Sequence, residues 1–410
     1  MTKKTDTPAI RFKGFSDTWE QRKLNEVVNV YDGVHQTPDY KDSGIMFLSV
    51  ENISTLKSEK FISEEAFQRD YKVYPQKGDV LMTRIGDVGT PNVVESTEKV
   101  AFYVSLALLK PTKINSYFLC NSILSPLFQK GLKDRTLVTA IPQKINKDEI
   151  GKVNIIFPTS LHEQQRIGEY FRNLDHLITL HQRKYEKLHN IKKSMLEKMF
   201  PKNGSNVPEI RFKGFTEAWE QRKLGELVDR VVRKNTNNES TLPLTISAQY
   251  GLVDQITYFN NRVASRDVSN YYLVYNGEFA YNKSTSDGYP FGVVKRLDLY
   301  EKGVLSTLYI VFAPKDEQKT KSDFLTVFFD TDRWHRGVAE RAAEGARNHG
   351  LLNISAEDFF DIDFSVPKDV AEQRQIGAFI RRIDKLITLH QRELEKLQNI
   401  KKSMLEKMFV

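Results

Sequence analysis

The side chains best suited to chemistry lie in polar, glycine-containing stretches of two regions, roughly residues 25–157 and 225–366. Arg and Lys can donate to guanine and Asn and Gln can pair with adenine in the major groove, whereas Ser, Thr and Tyr suit phosphate oxygens. The same stretches could equally be solvated connections. On residue type, the candidates for DNA contact are His35, Gln36, Thr37, Arg84, Thr90, Asn92, Lys133, Arg135 and Thr136 in the first region, and Ser247, Gln249, Tyr250, Asn282, Lys283, Ser284, Tyr289, Arg347, Asn348 and His349 in the second.

Common catalytic motifs are absent from the sequence. It contains no G-x-x-x-x-G-K-[ST] phosphate loop, no G-x-S-x-G or H-E-x-x-H motif and no paired cysteines. It also lacks the Asn/Asp-Pro-Pro-aromatic tetrapeptide with which amino-methyltransferases hold a target base. The carboxylates are scattered and form no defensible acid–base pair. We therefore predict a binding protein with no catalytic residue, metal site or cofactor of its own.

Length and composition indicate a globular protein of two or more domains. The chain has 410 residues, 40% of them hydrophobic and 28% charged, and no apolar run reaches membrane-spanning length. The single cysteine, Cys120, excludes a disulfide framework and a multi-cysteine zinc site and favours a reducing cytoplasm. The net charge of +8 permits a polyanionic partner without proving one.

Two internal repeats divide the chain into similar halves. Residues 175–200 return as residues 384–409 with four differences in twenty-six positions, and residues 8–24 return as residues 208–224 with thirteen of seventeen identical. The regions between the repeats show no comparable match. Each half thus has an opening motif, a variable region of mixed β-rich and helical segments, and a long helix. The predicted domains are residues 1–160, the helix 161–200, the linker 201–207, residues 208–366 and the helix 367–410.

The repeated helices carry an apolar seam with alternating steps of four and three residues, which is the spacing of a coiled coil. Flanking apolar residues predict a wider buried stripe, and they are Leu177, Leu180, Ile191 and Leu196. We favour mutual pairing of the two helices, although each could instead pack only on its own domain. The predicted seam consists of Leu174, Ile178, His181, Tyr185, Leu188, Lys192, Met195 and Met199, and of Ile383, Ile387, His390, Leu394, Leu397, Lys401, Met404 and Met408.

Helix starts and seam polarity give two further expectations. Ser160 with Glu163, and Asp369 with Glu372, have the spacing of capping boxes, so the first long helix is predicted over about residues 161–199. His181 and His390 recur at one seam position. A metal site is one interpretation, and a polar position that sets the helix register is the one we favour.

These motifs resemble the specificity subunit of type I restriction–modification systems over essentially the whole chain. The resemblance rests on the opening W-E-Q-R-K-L at residues 19–24 and 219–224, and on a proline followed by Glu-Gln and Ile-Gly at the start of each long helix. The segments IPQKINKDEIGKVNIIFP and GARNHGLLNISAEDFFDIDFSVP resemble closing segments of recognition domains in that family.

The resemblance implies a mixed α/β (α+β) fold. In it, two target recognition domains are joined and spaced by two long antiparallel coiled-coil helices with internal pseudo-twofold symmetry. Each domain would read half of a bipartite sequence in double-stranded DNA. The chain would recruit two adenine methyltransferase subunits and two restriction/translocase subunits, which use S-adenosylmethionine, ATP and Mg²⁺, and it would have no membrane partner.

Two other functions stay open from the residues alone. One is a non-enzymatic coiled-coil scaffold whose two domains bind ligands other than DNA. The other is a self-sufficient nuclease or methyltransferase with an unrecognised site, against which the missing motifs argue. If the DNA-reading function holds, helix length should set the number of unread base pairs between the half-sites.

Overall fold

The computed structural model describes residues 7–202, 204–342 and 350–409. Three of the predicted contact residues, Arg347, Asn348 and His349, lie outside these ranges. No helix in the described ranges is both long enough and apolar enough to cross a membrane.

The first half alternates short strands with short helices and ends in one long helix. Two 3₁₀ turns cover Leu24–Glu26 and Val50–Asn52. The strands are β1 (Glu20–Lys23), β2 (Val28–Asp32), β3 (Ile45–Leu48), β4 (Phe61–Ile62), β5 (Val80–Thr83), β6 (Pro91–Val93), β7 (Val100–Phe102), β8 (Leu106–Pro111) and β9 (Asn154–Phe157). The helices are α1 (Glu64–Asp70), α2 (Ser116–Leu124), α3 (Pro126–Lys133), α4 (Lys147–Gly151) and α5 (Leu161–Lys198).

The second half follows the same plan. Its strands are β10 (Glu220–Lys223), β11 (Val228–Arg230), β12 (Leu244–Ser247), β13 (Gly251–Asp254), β14 (Tyr272–Tyr275), β15 (Phe279–Asn282), β16 (Val293–Arg296), β17 (Lys302–Leu305), β18 (Ile310–Pro314) and β19 (Asp363–Val366). Its helices are α6 (Leu224–Leu227), α7 (Gln255–Phe259), α8 (Ser322–Phe329), α9 (His335–Arg341), α10 (Ala356–Phe360) and α11 (Val370–Lys407).

Both halves are built on the same four-stranded antiparallel sheet, although their variable sequences do not match. The strand order is β2-β8-β5-β6 in the first half and β11-β18-β15-β16 in the second. In each half, the strand within the opening motif pairs antiparallel with the strand before the long helix, β1 with β9 and β10 with β19. The mixed α/β fold class is confirmed.

Two apolar segments are interrupted by turns. Within residues 100–109, Leu106 N donates to Tyr103 O (2.9 Å) in a turn, so β7 pairs parallel with β3 while β8 enters the four-stranded sheet. The helical stretch 115–132 divides at Ser125, because Pro126 cannot continue a helix but suits the first turn of the next one.

The described chain divides into two compact units that do not coincide with its two halves. One unit comprises residues 1–183 with 391–410, and the other comprises residues 184–390. Each long helix therefore contributes to both units. The domain boundaries drawn from sequence stay a prediction.

The helices α5 and α11 pack together through segments that lie within each unit. In the first unit Phe171 of α5 contacts Phe409 (ring centroids 5.8 Å apart) and Asp175 pairs with Lys401 (2.5 Å), so the two segments run antiparallel. In the second unit the equivalent pair, Lys192 with Asp384, is 2.8 Å apart. Every predicted seam residue is buried or half-buried.

The wider buried stripe predicted beside the seam forms at two of the four flanking residues. Ile191 and Leu196 are half-buried and pack against the apolar core of the second unit. Leu177 and Leu180 are 42% and 38% exposed, and their repeats Leu386 and Leu389 are 38% and 51% exposed. These residues stand beside the seam, and a packed helix buries only the side facing its partner. The expectation of a wider stripe was wrong at these positions.

Each residue of the Glu-Gln-x-x-Ile-Gly signature contacts the domain at the start of α5. Glu163 forms two hydrogen bonds with Arg11 of the opening motif, at 2.6 and 2.8 Å. Its N–H donates to Ser160 Oγ (3.4 Å), so the Ser160 half of the predicted capping box forms while the Glu163 side chain bonds to Arg11. Gln164 accepts from Asn115 N (2.8 Å), and Ile167 is buried. A Cβ on Gly168 would stand 2.8 Å from the Cβ of Tyr117, so only glycine allows α5 to approach α2 this closely.

The signature makes equivalent contacts at the start of α11. Glu372 pairs with Arg211 at 2.6 and 2.7 Å, and Gln373 accepts from Lys321 N at 3.0 Å. A Cβ on Gly377 would meet the Cβ of Asp323 at 2.8 Å. The two sequence repeats, opening motif and long helix, are thus held to each other by buried ion pairs.

Candidate nucleic-acid interface

A buried arginine joins three loops of the first half. Arg84 follows β5, is 5% exposed, and pairs with Asp32 at the end of β2. Its Nε also donates to Ile145 O at 3.0 Å, in the loop between α3 and α4. The loops that begin after Asp32, after Thr83 and after Lys133 therefore converge on one side chain.

Backbone hydrogen bonds fasten the same loops. Gly86 N donates to Gln143 O (2.8 Å) and Ile145 N donates to Arg84 O (3.0 Å), with a β-bridge between Ile85 and Lys144. Because these bonds are regularly spaced, the loop 134–146 runs as a short ribbon beside the chain that leaves β5. We call this arrangement the loop junction of the first half.

The second half has its own loop junction with different residues. Lys283 follows β15, and its Nζ donates to Ile354 O at 3.3 Å. Leu352 N donates to Lys283 O (2.9 Å) and Thr285 N donates to Gly350 O (2.7 Å). The paired residues Gly350 and Leu352 lie six and four positions before α10, whereas Gln143 and Ile145 lie four and two positions before α4. The backbone pairing is therefore two residues farther from the following helix in the second half.

The structure places the first-half candidates in two groups. His35, Gln36, Thr37 and Lys133 are exposed. The others are half-buried or buried and engaged within the domain: Arg84 in the loop junction, Thr90 by its N–H on Thr83 Oγ1 (2.9 Å), Asn92 on Ile53 O (2.8 Å), Arg135 on Gly131 O (3.0 Å) and Thr136 on Leu132 O (2.9 Å).

The second-half candidates divide in the same way. Gln249, Tyr250, Ser284 and Tyr289 are exposed. The engaged residues are Ser247, whose Oγ accepts from Tyr250 N (3.2 Å), Asn282, whose Oδ1 accepts from Ser284 N (3.0 Å), and Lys283.

Exposed apolar residues near the first loop junction were missed from sequence. Leu137, Val138 and Ile141 are 44%, 67% and 101% exposed. The candidates had been chosen as hydrogen-bonding types, so aliphatic residues in a polar loop were passed over. Their clustering within five positions was the signal that could have identified them.

The seam histidines and Cys120 lie within helices. His181 and His390 are half-buried in the long helices. Burial raises the pKa of the Cys120 thiol to about 12, so it stays protonated at neutral pH and behaves as a small apolar side chain.

One predicted seam lysine is held by two carboxylates. Lys192 pairs with Asp330 (2.9 Å) and with Asp384 (2.8 Å), which balance the positive charge that its seam position half-buries.

Comparison with known proteins agrees with this architecture. A family model described as the type I restriction modification DNA specificity domain matches residues 16–190 and again residues 216–399. The "Putative type I restriction enzyme MjaX specificity subunit" of Methanocaldococcus jannaschii is 28% identical over 204 residues, 45% of this chain. The match spans 46%, about half, of that relative's length.

Two solved structures are similar. The type I restriction-modification system S subunit from M. genitalium aligns over 98% of this chain and 99% of its own, with a TM-score of 0.66 and 13% identity, which shows a shared fold. The HsdS subunit from Thermoanaerobacter tengcongensis aligns over 95% of this chain and 96% of its own, with a TM-score of 0.41 and 15% identity. Because the family model covers most of both halves, this chain belongs to the type I restriction modification DNA specificity domain family.

Proposed function

We propose that this chain is the DNA sequence-specificity subunit of a type I restriction–modification complex and that each half reads one part of a bipartite target. The observation that carries the proposal is the loop junction, which is built twice on one sheet topology and presents different side chains each time. The elements that the two halves share are the four-stranded sheet, the opening motif and the long helix, and we call them the frame. Two copies of this frame with different exposed residues are suited to two different half-sites.

The exposed candidates have the chemistry of DNA recognition. Gln36 and Gln249 can form paired hydrogen bonds with adenine, and Lys133 can pair with a phosphate or with guanine. The net charge of +8 favours a polyanion over an uncharged ligand. A ligand other than DNA would leave the match to a DNA specificity family without an explanation.

The long helices are proposed to set the distance between the half-sites and to bind the partner subunits. Each has 38 residues, or about 57 Å at 1.5 Å per residue. The exposed leucines beside the seam, Leu177 and Leu180 with their repeats Leu386 and Leu389, supply two equivalent apolar surfaces. Repeated surfaces suit two copies of a methyltransferase subunit, and two restriction/translocase subunits would complete the assembly.

Catalysis is proposed to belong to those partners. They would use S-adenosylmethionine for adenine methylation and ATP with Mg²⁺ for translocation and cleavage, while this chain selects the sequence in the cytoplasm. The sequence supports this division, since it has neither a phosphate loop nor a methyltransferase tetrapeptide.

Methylome sequencing with and without this chain tests the proposal. We expect a bipartite adenine-methylated motif that disappears on deletion and returns on complementation. A methylome that does not change on deletion, in cells that retain an active methyltransferase subunit, would favour the scaffold with a ligand other than DNA.

A further inference from the structure

The loop 134–146 ends in a turn whose tip is apolar and exposed. Leu137 and Lys144 face each other across its base, and residues 138–142 form the tip. Ile141 is fully exposed and Val138 is two-thirds exposed. Large aliphatic residues gathered on one turn differ from the single exposed ones that are normal on any surface, and they indicate a surface that something covers.

The tip is held in place before any partner binds. Leu137 N donates to Lys144 O at 2.7 Å, and Ala140 N donates to Leu137 O at 3.3 Å. The Gln143 side chain donates to Gly86 O at 3.0 Å, which adds to the backbone bonds of the loop junction. A turn fixed on both sides loses little conformational freedom on binding.

The charge around the tip favours DNA as the occupant. Residues 130–147 contain five basic residues and one acidic residue, Asp134, for a net charge of +4. The corresponding residues 339–356 of the second half contain two of each sign. An apolar tip on a basic loop matches what DNA-distorting proteins use, since cations hold the phosphates while an aliphatic side chain enters the base stack.

We propose that residues 137–142 act as an apolar wedge, and that Val138 and Ile141 enter between base pairs at the half-site read by the first half. The wedge rests on the proposed function, because adenine methylation requires a base taken out of the stack. By filling the space that the base leaves, the tip would stabilise the opened duplex. The second half, whose loop has the sequence EGARNHG at residues 344–350, would open its half-site without an aliphatic wedge.

The experiment uses the assembled complex of this chain with its methyltransferase partner. The probe is a duplex that carries the mapped target, with 2-aminopurine in place of the methylated adenine of one half-site or the other. The variant is the double substitution Val138→Ser with Ile141→Ser. Leu299→Ser with Leu308→Ser, at similarly exposed aliphatic positions of the second half, is the matched control.

The wedge predicts that the double variant reduces the fluorescence rise of the 2-aminopurine duplex about tenfold at the first half-site only. The methylation rate at the same half-site is measured on the duplex that keeps adenine, because 2-aminopurine has no N6 amino group to methylate, and it should also fall about tenfold. The double variant's melting temperature and the second half-site should not change, and the control should match the unmodified chain. Ile141→Met should keep most of the signal, because methionine also serves as a wedge.

Two results would overturn the wedge. One is sequence-specific binding by the double variant with an unchanged signal at the first half-site. The other is loss of methyltransferase association in the absence of DNA, which would identify the tip as a protein contact. Failure of the proposed function is recognised separately, since the unmodified complex would then show no sequence preference.

Discussion

The loop after α3 and the loop after α9 connect equivalent elements of the two halves, yet their sequences differ in length and in chemistry. Residues 134–146 have an aliphatic tip, whereas residues 342–355 are one residue longer and carry Arg347, Asn348 and His349 in a stretch of balanced charge. The described ends of both loops are hydrogen-bonded to the chain that leaves a central strand of the sheet. The comparison teaches that shared elements fix the ends of the loops while the sequence between those ends varies.

The frame itself is nearly identical in the two halves. Arg11 with Glu163, and Arg211 with Glu372, join the same repeated motifs, and each pair is almost fully buried on the glutamate side. Repeated residues therefore form these buried ion pairs, whereas the exposed candidate loops lie in sequence that the two halves do not share. The following predictions test this division, from the largest expected effect to the smallest.

Shortening both long helices should shorten the spacer between the two half-sites and leave the half-site sequences unchanged. Deleting one heptad from each helix, residues 180–186 and 389–395, shortens each by about 10 Å, close to three base pairs of DNA. We expect methylome sequencing to show the same two half-sites with a spacer shorter by about three base pairs. An unchanged spacer would exclude the helices as the ruler. Deletion from one helix only is the control, and it should abolish methylation because helices of unequal length cannot form both the Asp175–Lys401 and the Lys192–Asp384 pairs.

Removing a frame ion pair should destabilise each half, and the second half more. Glu372→Ala leaves Arg211 buried without its partner, which costs about 3–5 kcal/mol, and also removes the acceptor of the Trp219 indole N–H (3.4 Å). Glu163→Ala should cost less, because the Trp19 indole has no acceptor among the described residues. Calorimetry of both variants measures the stability that each one loses. Equal losses would contradict the prediction that Glu372→Ala is the more destabilising substitution. The Glu→Gln variants are controls that keep one hydrogen bond.

Replacing the equivalent seam lysines, Lys192 and Lys401, should lower the stability by different amounts, with the larger loss at Lys192. Lys192→Met leaves Asp330 with only Lys295 and should cost about 2 kcal/mol. Lys401→Met removes a pair whose carboxylate, Asp175, is half exposed, and should cost less than about 1 kcal/mol. Thermal denaturation of the two variants measures both losses of stability. A larger loss for Lys401→Met than for Lys192→Met would contradict the prediction.

Acid should weaken the second half through Asp330. Burial alone would raise the pKa of this carboxyl, but Lys295 and Lys192 outweigh burial and hold the pKa below its usual range. The stabilisation is then complete above the unfolded-state pKa of about 3.9 and is lost as pH falls through the lower folded-state value. Melting temperatures measured from pH 6 to pH 3 should fall less steeply for Asp330→Asn. An identical slope would exclude Asp330 as the cause.

A loop lysine should affect affinity more than specificity. Lys133→Ala removes an exposed cation beside the first loop junction, so binding should weaken by a few-fold and the salt dependence should fall by about one charge. Binding isotherms at several salt concentrations measure both quantities. Lys72→Ala, at the end of α1 and outside the loops of the junction, is the matched control. Loss of preference for one base would instead identify Lys133 as a base-reading residue.

Much of the frame could be predicted because its signals are local or repeated. The start of α5 at Leu161 and its end at Lys198 follow from Ser160 and from the proline at 201. The seam positions follow from spacing alone. The exposed loop residues Gln36 and Tyr250 were found by type, but the same criterion also selected Arg84, which is buried. Residue type cannot distinguish a contact with DNA from a contact with the protein's own backbone.

The sequence by itself determined the tandem organisation, the long helices and their seam, because these depend on periodicity and on residues close together in the chain. Only the tertiary structure decided which polar residues stay exposed. Arg84 meets Asp32 and Ile145, 52 and 61 positions away, and Glu163 meets Arg11 from 152 positions away. Contacts at such separations depend on how the sheet and helices fold back, which no local pattern encodes.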